Sequence, residues 1–306
     1  VSSVIVVMGE ALTDCVIPSG GGTITEVPGG SPLNVAIGLG RLGHDVLLAA
    51  RFGDDPRGIA ISEHVLASGV TLIDQADGLE KTSTASAVIA DDGSASYEFD
   101  LVWDLSKDMI PSGDYLHLHT GSIGATLEPG ASAVLEILKR ELKRGASISY
   151  DPNARPHIMG DPDDVRGQME QIIALSDIVK ASDEDIEWLY PGLETESVLT
   201  HWRALGAGLV LITKGADGVD AFAPDGRVSL PTQATTVIDT IGAGDSFMAG
   251  LLSALAARSL LGRANNQPLL DISQDDLHDV VSYALSCAAI TVSRAGANPP
   301  TAAEMS

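Results

Sequence analysis

Cysteine is nearly absent: Cys15 and Cys287 are the only two in 306 residues, which excludes a disulfide framework and a cysteine-rich metal site. Basic residues are scarce as well. Eighteen Lys and Arg stand against 42 Asp and Glu, a net charge of −24, and such a surface repels phosphodiester backbones and anionic membranes. Neither nucleic acid nor membrane is an expected partner. A small anionic ligand has to be held by local donors against that field. No apolar run reaches the length of a membrane-spanning helix. The opening "VSSVIVVMGEAL" lacks a basic n-region, and its apolar run is too short for a signal peptide. A cytoplasmic location is expected.

What the chain does have is alternation. "VIVVMGEA" (4–11) is a β-branched run that suits a strand buried on both faces. "SPLNVAIGLGRLG" (31–43) follows as a helix, with Ser31 as N-cap, Pro32 at the first helical position and Gly43 as the stop. "DVLLAARFG", "SISYDPN" and "GLVLITKG" read as strands, separated by helical stretches such as "ASAVLEILKRELKRG". "GDSFMAGLLSALAAR" and "DLHDVVSYALSCAAITVSR" close the chain as two long helices. Such alternation predicts one α/β domain over 1–306, a mostly parallel sheet covered by helices, with ligands beyond the carboxyl ends of its strands. Two inserts break the pattern. "TDCVIPSGGGTITEVPG" (13–29) and "TSTASAVIADDGSASYEFDLVWD" (82–104) read as hairpins, the second turning at "DDGS". Together, over about 12–29 and 82–104, they form a small β-sheet suited to a lid or a dimer contact, with Val88, Ile89, Phe99 and Trp103 as its apolar surface.

Four stretches carry chemistry. In "TIGAGDSFMAG" (240–250), Gly242, Ala243 and Gly244 precede Asp245 at the mouth of a helix. Either Asp245 caps that helix, or the exposed N–H groups form an anion site beside a carboxylate that takes a proton from an incoming hydroxyl. "PGGSPLN" (28–34) and Asp14 offer a set suited to sugar hydroxyls, with Asn34 both donor and acceptor; a tight loop before a helix fits equally. "YDPNAR" (150–155) ends a strand with Asp151, Asn153 and Arg155, a phosphate or carboxylate clamp or an Asp-Pro turn with a surface ion pair. "TKGADG" (213–218) is a strand entering a glycine turn. His117 and His119 in "LHLHTG" lack a third metal ligand at helpful spacing, so a structural role is expected of them.

Taken in order, these motifs resemble the ribokinase-like (PfkB) carbohydrate kinases over essentially the whole chain. "GGSPLNVAIGLGRLG" with "RFGDDPRG" is similar to the family's N-terminal signature, and "DTIGAGDSFMAGLL" to its C-terminal one. "SRAGANPPTAAE" resembles the closing strand and loop. The resemblance implies a three-layer α/β sandwich with a β-sheet lid, transferring the γ-phosphate of ATP to a sugar hydroxyl. It makes Asp245 the general base and the backbone of Gly242, Ala243 and Gly244 the anion hole. Asp14, Gly29, Gly30, Asn34, Tyr97, Phe99 and Arg155 are implied for the sugar. Lys180, Ser182, Thr213, Lys214, Gly215 and Gly218 are implied for the nucleotide, and Asp239 with the Ile241 carbonyl for a monovalent cation such as K⁺. Where many members carry Asn-x-x-Glu, this chain has Ser182 and Asp185, so Mg²⁺ is expected to be held by Asp185 through water. "GEALTD", "PGGSPLN", "DDPRG" and "DPNARP" look most like the fructokinase branch; 2-keto-3-deoxygluconate kinase and ribokinase are the alternatives, and a silent sugar- or nucleotide-binding sensor is the alternative of another class. A homodimer paired through the lid is expected.

Overall fold

The computed structural model describes residues 3–18, 22–73, 79–89, 95–233, 236–263 and 268–306. Strands β1 (Ile5–Met8), β2 (Leu12–Ile17) and β3 (Thr25–Gly29) precede helix α1 (Ser31–Arg41). Then come β4 (Val46–Ala49), α2 (Pro56–Ala67), β5 (Thr71–Leu72), β6 (Thr84–Ile89) and β7 (Ala95–Asp100). The middle holds β8 (His117–Gly121), α3 (Gly130–Leu142), β9 (Ser147–Asp151), α4 (Pro156–Met159), α5 (Pro162–Ile173) and β10 (Ile178–Ser182). After α6 (Asp183–Leu189) and α7 (Thr195–Leu205), strands β11 (Leu209–Thr213), β12 (Val219–Ala223) and β13 (Gly226–Leu230) lead to α8 (Ala243–Ala257) and α9 (Gln274–Val292).

Among the described residues nine strands form one sheet in the order β13-β12-β11-β10-β9-β8-β1-β4-β5. The pairs from β11 to β5 are parallel, while β12 and β13 join antiparallel at the edge. Parallel strands are covered on both faces, so their residues serve two cores alternately. Ile5 and Val7 pack on the side of α1, α2, α8 and α9; Val6 and Met8 pack on the side of α3, α5, α6 and α7. The result is the three-layer sandwich. At roughly 1.5–3 kcal/mol for each fully buried aliphatic side chain, these two cores set the frame on which the loops are held.

The inserts meet in a second sheet of four strands, β3-β2-β6-β7. Its register places Asp14 opposite Val27 and Ala85, and Ala85 opposite Phe99. The "DDGS" turn and part of the "GGG" turn lie outside the described residues.

Three expectations are corrected. Ser31 is not an N-cap: Gly30 holds that position without a side-chain bond, and the Ser31 hydroxyl is engaged elsewhere, as described below. Trp103 does not belong to the surface of the small sheet; it is 3% exposed, and its Nε1–H donates to the Gly124 carbonyl at 2.9 Å. The closing "SRAGANPPTAAE" contains no strand. It is a loop tied to α1, with Arg41 donating to Asn298 Oδ1 and to the Pro299 carbonyl.

Candidate active site

The sheet order reverses at β1. The chain leaves β1 toward β4 and β5, then returns to build β8, β9, β10 and β11 on the other side. Such a switch point leaves a crevice beyond the carboxyl ends of the strands. A cavity of about 390 Å³ lies there, bordered by Glu10 after β1, Ser122 after β8, Asn153 after β9 and the first turn of α8.

That turn begins at Gly242, which is in the left-handed conformation (φ 73°) and is the N-cap, with no side-chain cap bond. Asp245 therefore caps nothing; it stands in the first turn of the helix and is buried. Its Oδ1 accepts the Ser31 hydroxyl at 2.7 Å, and its Oδ2 accepts Asn34 Nδ2 at 2.8 Å. Two donors on α1 thus fix both oxygens of a carboxylate on α8. In the turn itself the Ala243 N–H is taken up by the Thr240 carbonyl at 3.2 Å, against the expectation that it joins an anion hole, and the helix start is the end of α8 that suits negative charge.

Lys180 sits beneath this turn. Its Nζ is 3.0 Å from where a side chain on Gly244 would begin, so a larger residue there would push the ammonium away from the helix start. Lys180 is 4% exposed and donates to Asp151 Oδ2 at 2.7 Å. Burial opposes its charge, but Asp151, Asp185 and Asp245 hold its pKa above the usual value. Burial raises Asp151 to about 6 despite Lys180. Attraction thus outweighs burial at Lys180 and falls short of it at Asp151, and the pair holds the ammonium close to the first turn of α8.

Of the residues implied for the sugar, Asp14, Gly30, Asn34, Phe99 and Arg155 line the cavity with Ile241 and the 242–245 turn. Gly29 pairs with Leu12 at the edge of the small sheet. Tyr97 lies one step outward, lining an adjoining recess with Phe99, and stacks on Phe99 and His157. Burial raises the pKa of Asp14, Arg155 lowers it and Asp245 raises it again. The Arg155 guanidinium is turned onto its own loop, donating to Asn153 Oδ1 and to the carbonyls of Asn153 and Ala154.

The residues implied for nucleotide and metal form a separate row along the same strand ends. Ser182 is the N-cap of α6 in a capping box with Asp185. Asp185 Oδ2 accepts the Ser182 N–H and hydroxyl, and Oδ1 accepts the Ala154 N–H at 2.7 Å. Asp185 is thus the strut that holds the loop carrying Asn153 and Arg155. Thr213, Lys214, Gly215 and Gly218 make the turn between β11 and β12 and do not line the cavity; Lys214 donates to Asp220 Oδ2 at 3.1 Å. Asp239 accepts the N–H groups of Ile241 and Gly296, tying the segment before the turn to the C-terminal loop.

Asn153 of the "YDPNAR" stretch also lines the cavity, together with Glu10, Ser31 and Ser122, which the motif reading passes over as site residues. Ser122 (φ 53°) and Asn153 (φ 37°) hold positive φ, a conformation costly for non-glycine residues and concentrated at functional sites. His117 and His119 are buried in a hydrogen-bonded row with Ser147 and Ser149. Burial holds His119 down to about 3, and no metal-ligand cluster occurs among the described residues.

Comparison with known proteins gives the family and the fold. The profile of the pfkB family carbohydrate kinases matches residues 3–304. A fructokinase of Klebsiella pneumoniae is 34% identical over 264 residues, 83% of this chain and 85% of that protein. A fructokinase of Rhizobium leguminosarum bv. trifolii is 35% identical over 266 residues, 83% of this chain and 80% of that protein. The crystal structure of a double mutant of Vibrio cholerae O395 fructokinase, with fructose, ADP and potassium ion bound, superposes with a TM-score of 0.81 at 28% identity, covering 96% of this chain and 94% of that one.

Proposed function

Since this chain belongs to the pfkB family of carbohydrate kinases and is an ATP-dependent sugar kinase, we propose that its acceptor is fructose and that Asp245 is the base that activates the acceptor hydroxyl. The observation that carries the role of Asp245 is its placement: a buried carboxylate, fixed by Ser31 and Asn34, inside the first turn of a helix that opens on the cavity. The fructokinase relatives support the choice of sugar.

In this reading the sugar lies between Asp14, Asn34 and Arg155 under Phe99, with one hydroxyl against Asp245. Asp245 takes the hydroxyl proton as the oxygen attacks the γ-phosphorus. The new P–O bond forms as the bridging P–O bond breaks, and the leaving electron pair stays on ADP. The N–H groups of Gly242, Gly244 and Asp245, backed by Lys180, stabilise the charge that grows on the transferred group, while that of Ala243 donates to the Thr240 carbonyl. Ser182 and the turn from Thr213 to Gly218 border the nucleotide. Asp185, whose oxygens already accept the Ser182 and Ala154 donors, would hold Mg²⁺ only through water, where the ion would supply neutralisation of nucleotide phosphate charge. Asp239 and the Ile241 carbonyl would hold a monovalent cation. The small sheet is the lid, since Asp14 and Phe99 on it line the cavity. Its exposed Val16, Val27 and Tyr97 provide a surface for pairing two chains. No helix among the described residues is long and apolar enough to cross a membrane, and we place the enzyme in the cytoplasm, where ATP is at hand.

The test is ATP consumption across fructose, ribose, 2-keto-3-deoxygluconate and nucleosides, repeated with Asp245→Asn. Fructose-dependent turnover cut by roughly 10³-fold in D245N is the expected result. Preference for another acceptor overturns the choice of sugar, a D245N as active as wild type overturns the mechanism, and no turnover on any acceptor points to a sensor. Sedimentation showing a monomer at all concentrations overturns the dimer.

A further inference from the structure

Glu10 is an ionisable group of the cavity that the reaction above does not use. It lies two residues after the end of β1 and is 7% exposed, yet it borders the same cavity as Asp14, Asn34, Arg155 and Asp245. Its Oε2 accepts the Gly124 N–H at 2.9 Å, and the Ser122 hydroxyl is a second donor to the carboxyl. Gly124 leaves room for this approach, because a side chain there would begin 3.0 Å from Glu10 Oε2. Ser122 holds its positive φ at the same spot. Both immediate partners donate, so the surroundings are arranged for a carboxylate.

We propose that Glu10 is a specificity-determining residue of the acceptor pocket, its carboxylate accepting a hydroxyl of the sugar other than the one phosphorylated. This rests on the reading of the cavity as the sugar site. Burial raises Glu10 to about 7, the two donors and Arg155 pulling the other way. The charged groups that share the cavity with it are Asp14 on β2, Arg155 after β9 and Asp245 on α8. An empty pocket therefore holds Glu10 close to half-protonated at neutral pH. A sugar hydroxyl arriving as a third donor favours the ionised form, so binding expels a proton, and affinity rises with pH through about 7.

The experiment is calorimetry of fructose binding to the whole protein at pH 7, in buffers of different ionisation enthalpy, with the KM for fructose measured between pH 6 and 8. Wild type is expected to release a fraction of a proton on binding, and its KM to fall several-fold from pH 6 to 8. Glu10→Gln is expected to bind with no proton release and with a raised, pH-independent KM, its kcat changing little. Glu10→Asp, one methylene shorter, keeps the pH dependence with an intermediate KM. Equal proton release by wild type and E10Q, or an unchanged KM profile, overturns the assignment. If E10Q fails to fold, E10D with unchanged affinity and an unchanged profile overturns it. Should wild type phosphorylate no sugar at all, it is the parent reading that fails; fructose turnover with a Glu10-independent profile sinks this inference alone.

Discussion

Asn34 and Asp245 are separated by 211 residues and meet at 2.8 Å, the Asn34 amide donating to the Asp245 carboxylate. The contact joins the two signature motifs of the chain through one side-chain pair. It also explains why both must sit at helix starts: α1 and α8 converge there, and each contributes one end of the bond.

Removing the charge of Asp245 while keeping its shape tests the base. For Asp245→Asn, kcat is expected to fall by roughly 10³-fold, within the usual span of general-base contributions. The KM for sugar should hardly move. Steady-state assays separate the two.

Ser31 acts on the same carboxylate from the other side, donating to Oδ1 at 2.7 Å. A hydrogen bond to a charged group is worth about 1.5–3 kcal/mol. Ser31→Ala is therefore expected to lower kcat about 10-fold through misplacement of Asp245. Helix α1 should be undisturbed, because Ser31 caps nothing; far-UV circular dichroism checks that part.

The Lys180–Asp151 pair predicts a pattern rather than a single loss. Lys180→Met leaves a buried carboxylate without its partner, which costs on the order of 3–5 kcal/mol. Lys180→Met combined with Asp151→Asn removes the stranded charge and should recover part of that stability. Neither variant should recover activity, because the ammonium beneath the anion turn is gone in both. Urea unfolding and kinase assays on the same samples read the two outcomes.

Glu10 also leaves a mark on stability in the absence of sugar. Its folded pKa of about 7 lies above its usual 4.5, so the folded state keeps a proton that the unfolded chain gives up. The stability linked to this group is present below about pH 4.5 and lost as pH rises to about 7. At 1.36 kcal/mol per unit the effect is at most about 3 kcal/mol. The thermal midpoint of E10Q should thus match wild type at pH 4.5 and exceed it increasingly up to pH 8.

Much of this site is legible before any coordinates exist, because a short motif carries both its residues and its backbone. Gly242, Ala243, Gly244 and Asp245 are adjacent in the chain, so a turn, a helix start and an acid arrive together. Ser31 misleads for the opposite reason. Serine before Pro32 has the local chemistry of a cap, and only the arrival of α8 supplies the stronger partner. Trp103 misleads likewise, since period-two alternation cannot tell the last residue of a hairpin from the first residue back in the core. Glu10, Ser122 and Asn153 come together through the order of β1, β8 and β9, and the positive φ angles of Ser122 and Asn153 are not announced by a glycine. The nearest available clue for Glu10 was an acid two residues after a buried strand, on the edge where ligands gather.

The cavity is richer in carboxylates than a neutral sugar requires. Glu10, Asp14 and Asp245 share it with Arg155, whose guanidinium is folded onto Asn153 and Ala154. A neutral sugar enters such a place without an electrostatic penalty, but a sugar phosphate leaves it as a dianion facing acids at short range. The same charges that orient the incoming molecule repel the outgoing one. Turnover thereby acquires a direction at the acceptor site, and accumulated sugar phosphate should compete poorly with fresh sugar.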